Sequence, residues 1–84
     1  MEMIPVLVTW RDAHAVFQSW ADPEHISEGD FICETIGWKL PDDVKPGWVV
    51  VVLSRTHEGL VGDGIAIPEA MVVKTQELKV KNNS

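Results

Sequence analysis

Asp12 and His14 lie two residues apart in the stretch VTWRDAHAVFQSW, residues 8–20, between two tryptophans. A carboxylate that holds an imidazole makes a general base only where a nucleophile or a metal ion stands on the other side of the ring. Ser19, Ser27 and Ser54 are available, but none lies in a nucleophile motif such as G-x-S-x-G. We therefore expect Asp12 to cap a helical turn and His14 to be exposed. The sequence predicts no catalytic residue and no enzyme.

Metal-ligating residue types are present, but not in a ligand pattern. His14, His25, His57 and Cys33 are separated by spacings that no common zinc motif uses. The glycine-rich run 59–64 contains neither G-x-G-x-x-G before a helix nor a Walker lysine. The single cysteine rules out an intramolecular disulfide and fits a reducing cytoplasm. The sequence thus predicts no metal and no cofactor.

The net charge of −6 is distributed unevenly. Six acids and no lysine or arginine fall between residues 12 and 34: Asp12, Asp22, Glu24, Glu28, Asp30 and Glu34. Such a segment repels phosphate backbones, so direct binding of nucleic acid is not expected. It is either a solvated acidic loop or a docking surface for a basic protein. No apolar run approaches the roughly 18–20 residues of a membrane span, and the N-terminus lacks the basic region of a signal peptide, so we expect a cytoplasmic protein without a membrane partner.

Tryptophan makes up four of the 84 residues, an unusually large share. Trp10 and Trp38 have the parity of the apolar positions in their strands, so we expect them in the core. Trp20 and Trp48 flank loops and are expected to form an exposed aromatic platform. An aromatic surface rimmed by acids suits a basic or proline-rich peptide. The residues predicted to bind a protein partner are Trp20, Trp48, Asp22, Glu24 and Glu28.

The two arginines, Arg11 and Arg55, each lie beside the end of a predicted strand. If the protein binds an anionic nucleotide, guanidinium groups are expected at the phosphates because they give bidentate contacts. The alternative ligand site therefore consists of Arg11, Arg55 and Trp10. A chain this short has little room for an enclosed pocket, so this alternative implies a homo-oligomer with pockets between its subunits.

Hydrophobic periodicity predicts a mainly β protein with five strands. Residues 4–11 alternate with period two, and so do residues 31–40, where Glu34 interrupts the pattern and suggests a bulge or an exposed strand end. Residues 48–53 are apolar on both parities, which indicates a strand covered on both sides. Residues 56–64 are predicted as a loop, 65–67 as a short strand that Pro68 ends, and 71–80 as the last strand.

After the first strand the apolar positions change to helical spacing, at Ala13, Val16, Phe17 and Trp20. Asp22-Pro23-Glu24 then carries a helix-start signal, so we expect one or two short helical turns there. Five strands that must also bury tryptophans favour a sheet curled onto itself, a small and partly open barrel. Residues 1–80 are predicted to form this single domain, and 81–84 a polar tail.

Two resemblances extend this interpretation. The run Gly64-Ile65-Ala66-Ile67-Pro68-Glu69-Ala70-Met71-Val72-Val73 resembles the end of an SH3-like barrel, in which a strand closes with Ile-Pro, a single 3₁₀ turn follows and a hydrophobic residue enters the last strand. The pattern Trp10-x-Asp12-Ala13, a later tryptophan, Ile36-Gly37-Trp38, a valine-rich strand and Ile67-Pro68-x-x-Met71-Val72 is similar to small proteins encoded by bacteriophages and prophages. That resemblance implies a barrel-like fold and an accessory role, with no catalytic residues to carry over.

Three functional hypotheses remain. The leading one is a non-enzymatic phage or prophage accessory protein that binds a host bacterial protein through an aromatic, acid-rimmed surface, for example as an inhibitor of host defence. The second is an oligomer that binds or sequesters a nucleotide signal. The third is a minor structural or assembly protein.

Overall fold

The computed structural model describes residues 1–12, 31–79 and 81. Within them lie five strands and one 3₁₀ turn: β1 (Ile4–Asp12), β2 (Phe31–Lys39), β3 (Trp48–Arg55), β4 (Val61–Pro68), the turn Glu69–Met71 and β5 (Val72–Glu77). All pairings are antiparallel, in the order β4-β3-β2-β1-β5, and the sheet is not closed. The predicted fold class, mainly β with five strands in a partly open barrel, is confirmed. The helical turns predicted after the first strand fall on residues outside the described ones.

The core lies on one face of the curled sheet, which we call the inner face. Val6 and Val8 of β1, Val49 and Val51 of β3 and Ile67 of β4 are buried there in one cluster. Period-two alternation of β-branched side chains places the two valines of each strand on the same side. Partly buried side chains then close the ends of the cluster, namely Ile4, Trp10, Met71 and Val72. The prediction that Trp10 packs in the core is confirmed.

β2 turns a different face towards this core than its apolar pattern predicts. Residues opposite each other in an antiparallel pair share a face, and Val6 and Val8 lie opposite Gly37 and Thr35. The apolar residues of the other parity, Ile32, Ile36 and Trp38, therefore lie on the outer face, where Ile36 is 62% exposed, whereas Leu40, just beyond the strand, is buried. Trp38 also has outer-face parity, so its expected place in the core is wrong; it is half-buried on the other side of the sheet.

Gly37 is the point at which β2 meets β3. A Cβ at this position would lie 2.5 Å from the backbone oxygen of Val52 and 2.7 Å from a methyl of Val51. Among the described residues the register between the two strands contains two pairs, Trp38 with Val52 and Lys39 with Val51. β2 is paired with β1 along all nine of its residues, so its first half diverges from β3 and leaves a gap between the two strands. Glycine permits this close approach because it has no side chain.

β4 is longer than predicted, because the glycine-rich residues 61–64 belong to the strand and not to the loop. Gly62 and Gly64 pair with Ser54 and Val52 of β3, so the ladder continues back to Val61. At the other end, the predicted Ile-Pro ending followed by a 3₁₀ turn is confirmed. Of the two alternatives for Glu34, the bulge is absent from the continuous β1–β2 register, and Glu34 is instead exposed in the first half of β2. The observed irregularity lies between β1 and β5 at Thr9/Trp10. Among the described residues, no helix is both long enough and apolar enough to cross a membrane.

Candidate functional site

Trp48 lies on the surface at the start of β3, as its position beside a loop predicts. Its side chain is 37% exposed. The preceding residues Lys45-Pro46-Gly47 form a tight turn, closed by a 3.1 Å bond in which the Trp48 amide donates to the Lys45 carbonyl. Gly47 has a φ of +86°, so proline and glycine occupy the two central positions that a type II turn requires. The turn brings Lys45 beside Trp48, and its Nζ lies 5.0 Å from the ring centroid.

The 3₁₀ turn ties Trp48 to the far end of β1. Trp48 lies opposite Pro68, the last residue of β4, and the Glu69 amide donates to the Gly47 carbonyl at 3.0 Å. Val72, three residues after Glu69, pairs with Trp10. Three residues of extended chain span at most roughly 10 Å, so Glu69 lies within that distance of Val72. The Trp48 surface and the last residues of β1, from which the acidic segment departs, are thus joined by a short connection.

A second cation lies over a second tryptophan, at the gap between β2 and β3. The guanidinium carbon of Arg55 is 4.7 Å from the centroid of the Trp38 ring. Arg55 has inner-face parity on β3, but that strand separates from β2 beyond Val52, and the side chain reaches across to the outer face. Leu53 lies at the same gap, 60% exposed, and lines depressions on both sides of the sheet.

The structure does not bring the alternative ligand residues together. Trp10 points to the inner face, where its indole Nε1 donates to the Thr35 hydroxyl at 2.9 Å. Arg55 contacts Trp38 on the outer face. Arg11 is exposed near the end of β1, six residues beyond the Pro5 that lies opposite Trp38, a separation of roughly 20 Å along a strand.

The remaining predicted residues fall into two groups. Trp20, Asp22, Glu24 and Glu28, together with His14 and His25, lie outside the described residues. Of the described ones, Asp12 is exposed at the end of β1 and Cys33 is half-buried in β2. No group of three or more histidine, cysteine or acidic side chains placed to hold a metal ion occurs in the part of the chain that the structure describes.

Sequence reasoning missed that each of the outer-face tryptophans carries a cation. The Lys45 contact had a local signal, because a Lys-Pro-Gly-Trp run predicts a type II turn that joins its first and last residues. The Arg55 contact had none, since Trp38 lies seventeen positions earlier and on another strand. Comparison of the chain with protein-family models, with curated proteins and with solved structures gives no match.

Proposed function

We propose that the protein is a non-enzymatic binding module that docks onto a basic surface of a bacterial protein through the surface around Trp48. The observation that carries this proposal is the position of Trp48, a large aromatic side chain left 37% exposed beside a rigid Pro-Gly turn and opposite Pro68. Tryptophans of this kind dominate the binding energy of protein interfaces because they offer a large apolar area with little rotamer entropy to lose.

Charge supports a basic partner. Residues 13–30 carry four acids and no lysine or arginine. In the sequence they connect Asp12 to Phe31, and these two residues lie opposite each other in the β1–β2 register. The short connection from Trp48 through the 3₁₀ turn to Trp10 lies two residues from that pair. An acidic segment anchored there raises the encounter rate with a positively charged surface and disfavours acidic competitors.

Lys45 modulates this surface, since it lies over the ring that a basic partner would approach. A lysine or arginine of the partner gains a cation–π contact at Trp48 only by displacing Lys45, so the net gain from the ring face is small. Specificity for a basic partner then comes mainly from the acids and from the apolar edge of Trp48. The resemblance to phage-encoded proteins suggests that the partner is a host protein, and that binding inhibits a host defence function.

Native mass spectrometry of the tagged protein, purified gently from a bacterial host, tests the proposal. We expect a stoichiometric complex with a second polypeptide. Calorimetry with that purified partner should then show at least about a tenfold loss of affinity for Trp48→Ala, as expected of a central aromatic anchor. Asp22→Lys should slow association and weaken binding, and Lys45→Ala should strengthen it several-fold because the competing cation is removed.

Matched variants separate these effects from general damage. Leu60→Ala removes another exposed apolar side chain, and Glu58→Lys makes the same charge change as Asp22→Lys in the turn at the opposite end of β3. Neither should alter the affinity by more than about twofold, since surface changes outside an anchor are close to neutral. A protein that forms no stoichiometric complex, or a complex that Leu60→Ala weakens as much as Trp48→Ala, would contradict the proposal. Symmetric self-association without any ligand would favour the assembly hypothesis instead.

A further inference from the structure

Arg55 is held in place by an aromatic ring and not by an acid. In a chain with thirteen acids and seven bases, no carboxylate of the described residues lies within 4.0 Å of its guanidinium. The guanidinium carbon lies 4.7 Å from the centroid of the Trp38 ring, and a contact with the ring face leaves the N–H groups at the edge of the guanidinium available. A guanidinium in this position can donate two parallel hydrogen bonds to a planar oxyanion.

Arg55 and Trp38 each line a depression of the surface. One has a volume of about 600 Å³ and is lined, among the described residues, by Met3, Arg55, Thr56, His57 and Gly59. The other, of about 250 Å³, is apolar and is lined by Pro5, Ile36, Gly37, Trp38 and Leu53. Arg55 lies in the first and Trp38 in the second, so their contact joins a hydrogen-bonding site to an apolar one. Ile36 and Leu53, both about 60% exposed, leave that apolar site open to a ligand.

We propose that this outer-face site binds a carboxylate attached to an apolar group. The carboxylate accepts hydrogen bonds from the edge of the Arg55 guanidinium, and a ring N–H of His57 donates a further hydrogen bond to it. The apolar group covers Ile36, Leu53 and the exposed edge of Trp38, where burial contributes roughly 25 cal/mol for each Å² removed from water.

Charge favours a carboxylate over a phosphate. The site offers one permanent cation in a protein of net charge −6, and a phosphate ester at neutral pH carries close to two negative charges. The long-range repulsion from the protein is therefore larger for a phosphate, while a planar carboxylate matches the single guanidinium fork. The same carboxylate chemistry occurs in free acyl or aryl acids and at the C-terminus of a polypeptide that ends in an apolar residue.

The site is independent of the docking surface proposed above. Val52, the partner of Trp38, lies four residues from Trp48 along β3, a distance of roughly 13 Å. The two tryptophans carry different cations. Loss of one site by mutation therefore need not affect the other.

Titration of the ¹⁵N-labelled protein with hexanoate, followed by NMR, tests this proposal. We expect saturable shifts of the Trp38 indole N–H and of the amides of residues 55–59. Hexanamide, which has the same apolar group without the charge, should bind at least about tenfold more weakly, since a charge-assisted hydrogen bond is lost. Arg55→Gln should weaken hexanoate binding by a similar factor. Lys74→Gln, which makes the same change in net charge on β5, should leave it unchanged.

Further ligands distinguish a polypeptide C-terminus from a free carboxylic acid as the ligand of this site. A short peptide that ends in leucine and binds at least tenfold more tightly than both hexanoate and its own C-terminal amide assigns the site to a polypeptide terminus. Equal affinities for the peptide and for hexanoate assign it to free carboxylic acids. Equal binding of hexanoate and hexanamide, shifts confined to residues away from Trp38 and Arg55, or hexyl phosphate binding tenfold more tightly than hexanoate would each overturn the proposal. Because the ligand comparison uses the wild-type protein, the test holds even if Arg55→Gln fails to fold.

Discussion

Substitution of Gly37 by alanine is the sharpest test of how this sheet is built. The added Cβ would lie 2.5 Å from the Val52 carbonyl oxygen, and ordinary contact begins near 3.4 Å, so β2 and β3 must separate by about 0.9 Å. The atom that the new Cβ would meet belongs to the backbone and not to the end of a flexible side chain, so the strand itself has to move. The second obstacle, a methyl of Val51, belongs to a core side chain that is 1% exposed, so it has no free space in which to move.

The expected cost follows from these contacts. Overpacking a tight site destabilises by about 1–3 kcal/mol, and more where backbone must shift. The lower entropy of an unfolded chain with alanine returns about 0.4–1 kcal/mol. We therefore expect a net loss of about 2 kcal/mol, out of a total stability of about 5–15 kcal/mol for domains in general. For a domain of this size that corresponds to a fall in Tm of roughly 8–16 °C.

Urea unfolding followed by circular dichroism measures the change, and Gly62→Ala provides the control. Gly62 is also a strand glycine, on β4, but a Cβ there meets nothing within 4 Å. We expect Gly62→Ala to stay within about 0.5 kcal/mol of the wild type, with an unchanged urea dependence. If Gly37→Ala is as stable as Gly62→Ala, then β2 and β3 do not approach each other as described, and the account of the curled sheet fails.

Substitutions at three further positions, two of them with a matched control, probe neighbouring contacts. Gly64→Ala should cost less than Gly37→Ala, about 1 kcal/mol, because its Cβ would lie 3.1 Å from a methyl of Val52 and 3.2 Å from the Val51 carbonyl oxygen, both farther than the 2.5 Å contact at Gly37; urea unfolding measures the difference. Thr35→Val removes the acceptor of the Trp10 indole and should cost about 1–2 kcal/mol, whereas Thr35→Ser should keep both the stability and the indole proton shift. Val51→Ala, at a site 1% exposed, should cost about 2–3 kcal/mol, and Leu53→Ala, 60% exposed, less than about 1 kcal/mol, in the same assay.

Sequence periodicity predicts the burial of β1 and β3 well. β1 is the clearest case, because Val6 and Val8 are buried and flanked by less buried neighbours. β3 follows the prediction for a strand covered on both sides, since Val51 faces the core and Val52, on the outer face, is also buried. In both strands the side chains themselves carry the information, and tertiary packing agrees with the local pattern.

β2 shows where that reasoning fails. Its larger apolar residues, Ile32, Ile36, Trp38 and Leu40, share one parity, which predicts that they are buried together. Leu40, just beyond the strand, is buried, but Ile32 and Ile36 are exposed. The inner face instead takes Gly37, where the close approach of β3 leaves no space for a side chain, and Thr35, whose hydroxyl accepts the Trp10 indole N–H. Hydrophobicity indicates which face can be buried, but the distance to the next strand decides which one is, and that distance depends on residues far along the chain.

The prediction for the start of β4 is wrong for a different reason. Val61 to Gly64 contains two glycines and an aspartate with a φ of 54°, a composition typical of loops. A β ladder is made of backbone groups, however, and Ser54 and Arg55 supply the partner strand for this segment. Of the predicted partner-binding residues, the sequence alone could place Trp48 at the surface from its position beside a turn. It could not show that the alternative ligand residues Trp10 and Arg55 lie on opposite faces, since that depends on the register of three strands.

On the outer face, Lys45 and Arg55 lie at similar distances from the rings of Trp48 and Trp38. We propose that the two sites nevertheless prefer ligands of opposite charge. The ammonium of Lys45 is a strongly hydrated point charge on a flexible stem, so a basic group of a partner can replace it over Trp48 at little cost. The guanidinium of Arg55 is planar and weakly hydrated, and it stacks on Trp38 while its edge remains free to accept an anion. The proposed basic partner at Trp48 and the proposed carboxylate at Arg55 are therefore compatible on one acidic chain. Exchanging the cations, with Lys45→Arg and Arg55→Lys, should weaken both interactions without changing the net charge.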